Sequence, residues 1–393
     1  MKYTKSSFVL LAVALLSSCT AKAAETSFHY DYKNNISSDL VKYHGKNKET
    51  FVNTSLSYAL EELKRDKNCA VSPACLGLNY AAVALASTKT NDLRSSLGIS
   101  SIQDLDEFST ALNWEEKETG GKDFLRSVIF HQIAQDEKTF SYREEAVKEL
   151  TQHGIATLQS NIDDARKDAE TFIQEALEKK LEMPSQKIQG EAVYTYTALT
   201  IEDRFPFSSE KEHEFTSLNQ NTKQVKGTGS TLCDYIYYQG EGYEGARFKI
   251  RNSDLTFLLP DRETSVSDIP VSEAYQNMTE LGQKAYSQDN FFPYFEVDSE
   301  INYTDFFTSL FQDKGVFDSL VKKEKEFTNF ASMQKNRFVF NQNGIEGDSV
   351  TYSAGGIGDM HEGIEHSFIV DRPFIAISSY DNIPLFVMNI TSL

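Results

Sequence analysis

The segment between Val339 and Asp371 constrains this chain more than any other part of its sequence. It follows the strand-like run Arg337–Phe340 and carries Gly344, Gly347, Gly355, Gly356, Gly358 and Gly363. Long loops without regular structure are uncommon in compact domains, and those that occur usually carry a function. The sequence therefore predicts a long functional loop near the C-terminus.

The rest of the chain reads as one domain. Its 393 residues are 40% hydrophobic, its eight prolines are dispersed, and apolar periodicity recurs from Phe51 to the end. Helical patterns dominate before Pro184 and strand patterns after it, which favours an α+β fold.

Helices are predicted where apolar residues recur at helical spacing or where a cap signal begins them. They cover 52–63, a buried helix after Ser72-Pro73, Thr90–Leu97, Asp163–Leu181 with Pro184 ending it, and Tyr303–Phe311. Strands are predicted at Phe124–Phe130, Ala192–Leu199, Phe215–Lys226, Phe248–Leu259 with a turn at Arg251–Asp254, Phe292–Val297, Phe374–Tyr380 and Leu385–Ile390.

The charge argues against nucleic acid as a partner. The chain has 39 basic and 58 acidic residues, a net charge of −19, and no concentrated basic face. Binding phosphates requires such a face.

Two motifs suggest cofactors, but neither has the surroundings it needs. Gly240–Gly245 matches GxGxxG, yet an alternating strand follows it and two of its residues are acidic, so a hairpin turn is predicted. His361 and His366 are five residues apart rather than four, so they do not share one helical face for zinc. We predict no cofactor and no metal. With no Gly-x-Ser-x-Gly elbow either, the residues do not propose an enzyme.

The N-terminus predicts export. Lys2 and Lys5 precede the apolar run Phe8–Leu16, which is too short for a stable membrane anchor and is typical of a signal peptide over residues 1–18. Leu16-Ser-Ser-Cys19 resembles the lipobox of bacterial lipoproteins, in which the cysteine is lipidated. Ordinary cleavage after Ala21-Lys-Ala23 is the alternative. The chain is thus expected to be a cell-envelope lipoprotein or a secreted, extracellular protein.

After removal of residues 1–18, which contain two lysines and no acid, the net charge is −21. Residues 19–48 form a polar segment that is expected to be loosely ordered. Cys69, Cys75 and Cys233 lack metal-ligand spacing, and buried thiols or one disulfide both remain open.

Four stretches, in consistent order, resemble the serpin family of serine-protease inhibitors. They are Val71-Ser-Pro73 with its apolar helix; Pro206-Phe207 with Phe215 and Val225-Lys226; Phe292-Pro293 with Phe295, Val297, Tyr303, Leu310 and Val316-Phe317; and Phe340-Asn-Gln-Asn-Gly344-Ile-Glu346 with Asp371-Arg-Pro-Phe374 and Pro384-Leu-Phe386.

The resemblance implies a single serpin-like domain over residues 49–393, with three β-sheets, a surrounding set of helices and an exposed reactive-centre loop at about 342–370. The partner would be a target protease of the serine class, with the cysteine class as an alternative. It would cleave the loop and be trapped as the loop inserts into the large sheet. The protein itself would be a monomer and not an enzyme.

By the family's phase the hinge of the loop comprises Gly344, Ile345, Glu346, Gly347, Asp348, Ser349 and Thr351. Alternate residues of an inserted strand face the core, here Ile345, Gly347, Ser349 and Thr351. A slip of one residue would bury two acids at several kcal/mol each, so this phase is strongly favoured. Before cleavage, residues 345–352 are expected to lie outside the large sheet.

The family's usual distance from hinge to scissile bond places the reactive bond at Gly358–Asp359. Glycine is poorly recognised by most protease specificity pockets, so Ile357 and Met360 are alternatives for the recognised side chain.

Several positions depart from the family's pattern. Ile345 replaces a small Thr or Ser; Cys75, Thr195 and Gln334 stand where Ser, Asn and His are usual; Asp203 or Arg204 lies near the position of a missing Trp; and Met388 replaces a glycine. These departures keep open a non-inhibitory serpin-fold protein that acts as a protease substrate or binding module.

Overall fold

The computed structural model describes residues 43, 45, 47–118, 121–185, 190–204, 210–229, 233–287, 289–323, 327, 330–346 and 363–393. These ranges contain eight α-helices: α1 Lys48–Leu60, α2 Pro73–Leu85, α3 Asn91–Ser96, α4 Ile102–Ala111, α5 Glu144–Gln152, α6 Ala165–Leu177, α7 Val271–Leu281 and α8 Thr304–Phe311.

Twenty strands lie in the same ranges. The first ten are β1 Cys69–Val71, β2 Trp114–Glu118, β3 Gly121–Ala134, β4 Phe140–Tyr142, β5 Ala156–Ser160, β6 Ala192–Arg204, β7 Glu210–Thr216, β8 Thr222–Thr228, β9 Cys233–Gln239 and β10 Tyr243–Lys249. The others are β11 Asp254–Pro260, β12 Gln283–Ser287, β13 Phe292–Pro293, β14 Phe295–Asn302, β15 Val321–Lys323, β16 Met333–Asn341, β17 Gly344–Ile345, β18 Ile364–Glu365, β19 Phe374–Tyr380 and β20 Ile383–Ile390.

The large sheet carries the start of the loop. Its strands run in the order β14-β16-β17-β6-β3-β2, and β5 pairs with the far end of β3. A second sheet has the order β1-β20-β19-β11-β10-β9-β12-β18, and a third the order β13-β8-β7. The α+β class is confirmed. In addition to the three expected sheets, the described part of the chain contains a separate fourth sheet, in which β15 pairs with β4.

Helix α2 lies at the centre of the molecule, packed between β6 and β20. The Ser72 hydroxyl accepts a hydrogen bond from the Cys75 N–H at 3.4 Å, and Pro73 occupies the first turn. Ten of the helix's thirteen residues are buried. This confirms the buried helix that Ser72-Pro73 predicted, since a capped N-terminus and a surface that is apolar on nearly every side suit a helix enclosed by sheets.

Three predicted elements differ from the structure. The predicted strand Phe292–Val297 is divided, because β13 belongs to the third sheet and β14 to the large sheet. Helix α6 ends at Leu177 rather than at Leu181, because Glu178 adopts a left-handed conformation (φ 53°) that stops the helix. Residues 215–226 do not form one strand. They contain the turn of the β7–β8 hairpin, in which the Ser217 N–H donates to the Asn221 carbonyl at 2.9 Å.

Two further outcomes concern turns and the polar segment. GxGxxG is a hairpin turn, as predicted: it joins β9 to β10, and Gly242 has the positive φ of 77° that favours glycine. Most of the polar segment lies outside the described residues; within it, Tyr43 is buried and its ring stacks on Phe108 at 3.7 Å between centroids.

Candidate functional site

The loop begins inside the large sheet. Gly344 and Ile345 form β17, which pairs antiparallel with Phe340 and Asn341 of β16 and with Asp203 and Arg204 of β6. The turn before it is tight: the Asn341 side-chain oxygen accepts from the Asn343 N–H at 2.8 Å, and Gly344 has a φ of 118°. Glycine is suited to that conformation.

Ile345 is only 1% exposed. The expectation that residue 345 lies outside the sheet before cleavage is therefore wrong. The reason is its apolar side chain, whose burial contributes about 2 kcal/mol and favours a position inside the sheet. The correction covers Ile345 alone, because residues 347–352 lie outside the described residues.

Below β17, the described residues place no strand between β6 and β16, and we call this stretch the gap. Strands β6 and β16 both run antiparallel to β17 and hence parallel to each other. Within the described residues, the edge of β6 that faces the gap pairs only through Asp203 and Arg204, although the strand begins at Ala192. One further strand in the gap would continue β17.

Charged side chains cross the outer face of the sheet at the top of the gap. Glu346 forms an ion pair with Arg337 of β16 and another, at 3.0 Å, with Lys179. Lys179 also contacts Glu202 of β6 at 3.0 Å, and Arg337 contacts Glu296 of β14 at 2.8 Å. We call these five residues the hinge network. It spans β14, β16, the residue after β17, and β6.

Helix α6 brings Lys179 to this place. The Arg126 guanidinium of β3 is 2% exposed and donates to the Leu177 carbonyl at 2.8 Å, which caps the helix C-terminus with a positive charge. Arg126 also forms ion pairs with Glu115 at 2.6 Å and Glu178 at 3.0 Å. The end of α6 is thereby fastened to the sheet, two residues before Lys179.

The N-terminal part of α2 links the two sides of the gap from beneath. On the β16 side, Gln334 accepts from the Ser72 N–H at 2.8 Å and donates to the Ser72 carbonyl at 2.9 Å. On the β6 side, Asn79 donates to the Thr195 carbonyl at 2.9 Å, and the Cys75 thiol to the Thr197 carbonyl at 3.2 Å. Movement of β6 over α2 must break the Asn79 and Cys75 contacts.

Three groups below the sheet have shifted pKa values. Burial lowers the pKa of His131 to about 4; its Nδ1 lies 2.8 Å from the Thr195 hydroxyl. Burial also raises the pKa of the Cys75 thiol to about 12, and raises that of Cys69. Both thiols are free, and burial disfavours the reactive thiolate.

Asp203 fastens the top of β6 to the β10–β11 turn. Its carboxylate is buried and accepts from the N–H groups of Asn252 at 3.0 Å and Ser253 at 2.7 Å. Burial raises the pKa of Asp203 despite these donors. Asp123 lies close by and pairs with Arg204 at 2.6 Å. Polar groups thus occupy the region near which the tryptophan usual in the family is missing from this sequence.

The far end of the loop returns through β18, which pairs parallel with β12. His366 follows it and lies on the Tyr237 ring, with 4.0 Å between centroids. In the described part of the chain, no three His, Cys, Asp or Glu side chains group as metal ligands.

The other predicted site residues lie outside the described residues. They are the hinge positions Gly347, Asp348, Ser349 and Thr351, the reactive-bond candidates Ile357, Gly358, Asp359 and Met360, and Cys19. The hinge network was missed by sequence reasoning apart from Glu346, because its members lie on separate elements and no local pattern connects them.

A mixed α+β domain whose own loop begins as a strand of a partly open sheet defines a narrow class of protein. The family model described as "Serpin (serine protease inhibitor)" matches residues 47–392. The chain belongs to the serpin family. No curated protein matches the sequence.

Solved serpins share the fold. Tengpin, a thermophilic serpin in its native state, is 17% identical, covers 92% of this chain and 98% of its own, and has a TM-score of 0.71. AtSerpin1 of Arabidopsis, in its native stressed conformation, is 15% identical, covers 92% of this chain and 98% of its own, and has a TM-score of 0.66. Human thyroxine-binding globulin bound to thyroxine is 14% identical, covers 88% of this chain and 97% of its own, and has a TM-score of 0.67.

The family assignment identifies the class of protein, which contains inhibitory and non-inhibitory members. Serpins are protease inhibitors rather than catalysts, and they generally target serine proteases. In the described ranges, no helix is both long and apolar enough to cross a membrane.

Proposed function

We propose that this serpin inhibits a target protease by cleavage and insertion of its own loop. One observation carries the proposal: the hinge has entered the gap between β6 and β16 by two residues, in register with both strands. Among the described residues, no strand lies between β6 and β16 below Ile345. A loop freed at one end would extend β17 downward and add ladder hydrogen bonds, each worth about 1 kcal/mol net.

The side-chain alternation supports this direction of insertion. Ile345 faces the core, whereas Glu346 faces outward and is paired. In an inserted strand, alternation from Ile345 would place Gly347, Ser349 and Thr351 inward and Asp348 outward. Three small side chains suit the interior, and the acid remains in solvent.

The proposed mechanism uses the protease's own catalytic chemistry. The protease attacks the loop at Gly358–Asp359, with the Ile357 and Met360 side chains as the alternative recognition elements, and forms an acyl-ester. Insertion of the hinge then carries the bound enzyme away from its docking position. The serpin contributes the bait and the open sheet, and acts as a monomer.

A panel of serine and cysteine proteases tests the proposal. We expect a covalent complex that survives SDS with at least one serine protease, and N-terminal sequencing of the released C-terminal fragment identifies the bond. Clean loop cleavage by every active protease, with no complex, would contradict inhibition.

A second candidate is a non-inhibitory serpin that acts as a protease substrate or binding module. Ile345 favours it, because a bulky residue already buried in the sheet leaves less insertion to be gained after cleavage. Thyroxine-binding globulin, a serpin-fold neighbour, binds thyroxine by its name. The same protease panel separates the two candidates.

We also propose that the protein is exported and anchored. The apolar run Phe8–Leu16 supports signal-peptide processing, and Leu16-Ser-Ser-Cys19 supports lipidation of Cys19. A secreted form cleaved after Ala23 is the alternative.

A further inference from the structure

The inner part of the hinge network is partly withdrawn from water. Its inner members, Lys179, Glu202 and Glu346, are each about a quarter exposed, at 23, 24 and 27% of their side-chain area. Ion pairs that are partly withdrawn from water are screened less by salt than fully exposed pairs. Lys179 lies between two carboxylates, one on β6 and one on the hinge, and so connects the hinge to β6.

Residues that bind Glu346 come from both sides of the gap. Arg337 belongs to β16, and Lys179 is held over the β6 side by the fastening of α6 to Arg126. Beneath them, the Glu346 N–H donates to the Val339 carbonyl at 3.1 Å. If the hinge leaves the sheet, Glu346 loses its ion pairs with Lys179 and Arg337 and its hydrogen bond to Val339. Ile345 becomes exposed at the same time.

Further insertion makes a different demand on the same residue. The register of β17 is already that of an inserted strand, but Glu346 has a φ of 20°, so its backbone must become extended before residue 347 can continue the strand. The network therefore opposes withdrawal of the hinge, whereas its advance depends on the backbone of Glu346.

We propose that the hinge network is a latch: Lys179 and Arg337 hold Glu346 so that the uncut loop rests with Ile345 inserted. Lys179 and Arg337 are positioning residues in this role. The inference rests on the proposed function for its consequence, but the latch itself is a property of the uncut protein.

Amide hydrogen exchange of the uncut full chain tests the latch directly. Lys179→Met and Glu346→Gln remove the charges with little change in size. We expect the Ile345 and Glu346 amides to exchange about three- to ten-fold faster in each variant, as the loss of a partly buried ion pair implies. Lys226→Met is the matched control, because it removes the Lys226–Glu210 pair of 2.8 Å from a different sheet. Unchanged exchange in both latch variants, or an equal increase in the control, would overturn the latch.

Peptide insertion tests its consequence. A peptide with the sequence of residues 344–357 needs the place that Ile345 occupies, so its annealing rate follows the fraction of molecules with a withdrawn hinge. A peptide of residues 347–357 does not need that place, so its annealing rate does not depend on withdrawal of the hinge. The latch variants should accelerate annealing of the 344–357 peptide by the same three- to ten-fold and leave annealing of the 347–357 peptide unchanged.

General loosening of the sheet would accelerate both peptides, and that result would refute the latch. If neither peptide anneals to the wild-type protein, the proposed insertion mechanism fails, and the exchange rates still decide whether the latch exists.

Discussion

The Asp203 carboxylate accepts hydrogen bonds from both the backbone N–H and the hydroxyl of Ser253, at 2.7 and 2.5 Å. The same carboxylate accepts from the Asn252 N–H at 3.0 Å. Asp203 also stands opposite Ile345 in the ladder between β6 and β17. Asp203 therefore connects the end of β6 to the β10–β11 turn through its carboxylate, and it lies opposite the hinge strand β17 in the sheet.

The first prediction concerns this acid. Asp203→Ala should lower the free energy of unfolding by about 2–4 kcal/mol, because it leaves several buried donors without an acceptor. Asp203→Asn should cost less than half as much, since it keeps one acceptor oxygen and removes a charge that burial and Asp123 both disfavour. Denaturant unfolding at pH 7 measures both. Equal losses in the two variants would show that the charge, and not hydrogen bonding, matters at this position.

The second prediction concerns Gly347, the next inward-facing position after Ile345. Gly347→Pro should abolish trapping while the loop stays cleavable, because proline cannot donate to the ladder. In the wild-type protein, cleavage between about 352 and 365 should raise the unfolding midpoint by tens of degrees. The rise should be largely lost in the proline variant.

Gly347→Ala is the control for this experiment, because alanine is small enough for an inward position and keeps its N–H. It should trap and gain stability as the wild-type protein does. Full complex formation by Gly347→Pro would contradict insertion of the hinge, and an unchanged midpoint after cleavage of the wild-type protein would favour the non-inhibitory candidate.

The main features of the fold were predictable because they depend on local signals that the sequence states clearly. Ser72-Pro73 marks a helix start, and the apolar run behind it can only be buried. The end of α6 was not predictable, because Glu178 in a left-handed conformation carries no sequence signal. The β7–β8 hairpin had a signal that was overlooked: Asn219 and Asn221 are turn residues within the predicted strand.

The site was less predictable than the fold. Family resemblance located the hinge, but the sequence could not show how far the uncut hinge enters the sheet, because that depth is set by tertiary contacts. Glu346 is bound by Lys179, which is 167 positions away. Its other cation, Arg337, lies on an adjacent strand. Neither pairing follows from periodicity or composition.

The third prediction concerns anchoring. In a bacterial host, labelled palmitate should enter the wild-type protein, and Cys19→Ala should abolish the label because it removes the lipidated thiol. Cys69→Ala is the control and should be labelled normally, since Cys69 is buried in the folded domain. A labelled Cys19→Ala variant, or a mature N-terminus at Ala24, would reject the lipoprotein.

The fourth prediction concerns pH and His131. Burial lowers the pKa of His131 from 6.5 to about 4 in the folded protein. Between these values the unfolded chain binds a proton that the folded protein does not, so the free energy of unfolding falls as the pH is lowered from about 6.5 to about 4. The loss attributable to this residue is up to about 3 kcal/mol.

His131→Asn should therefore gain stability relative to the wild-type protein as the pH falls through this window, whatever the absolute stability of either protein. Denaturant unfolding at several pH values measures the difference. Thr195→Val is the control: it removes the 2.8 Å contact to the ring but leaves the ring buried, so it should shift stability by a constant amount and retain the slope. Because burial is the cause of the lowered pKa, a slope that disappears in Thr195→Val would show that the hydroxyl, rather than burial, keeps His131 neutral.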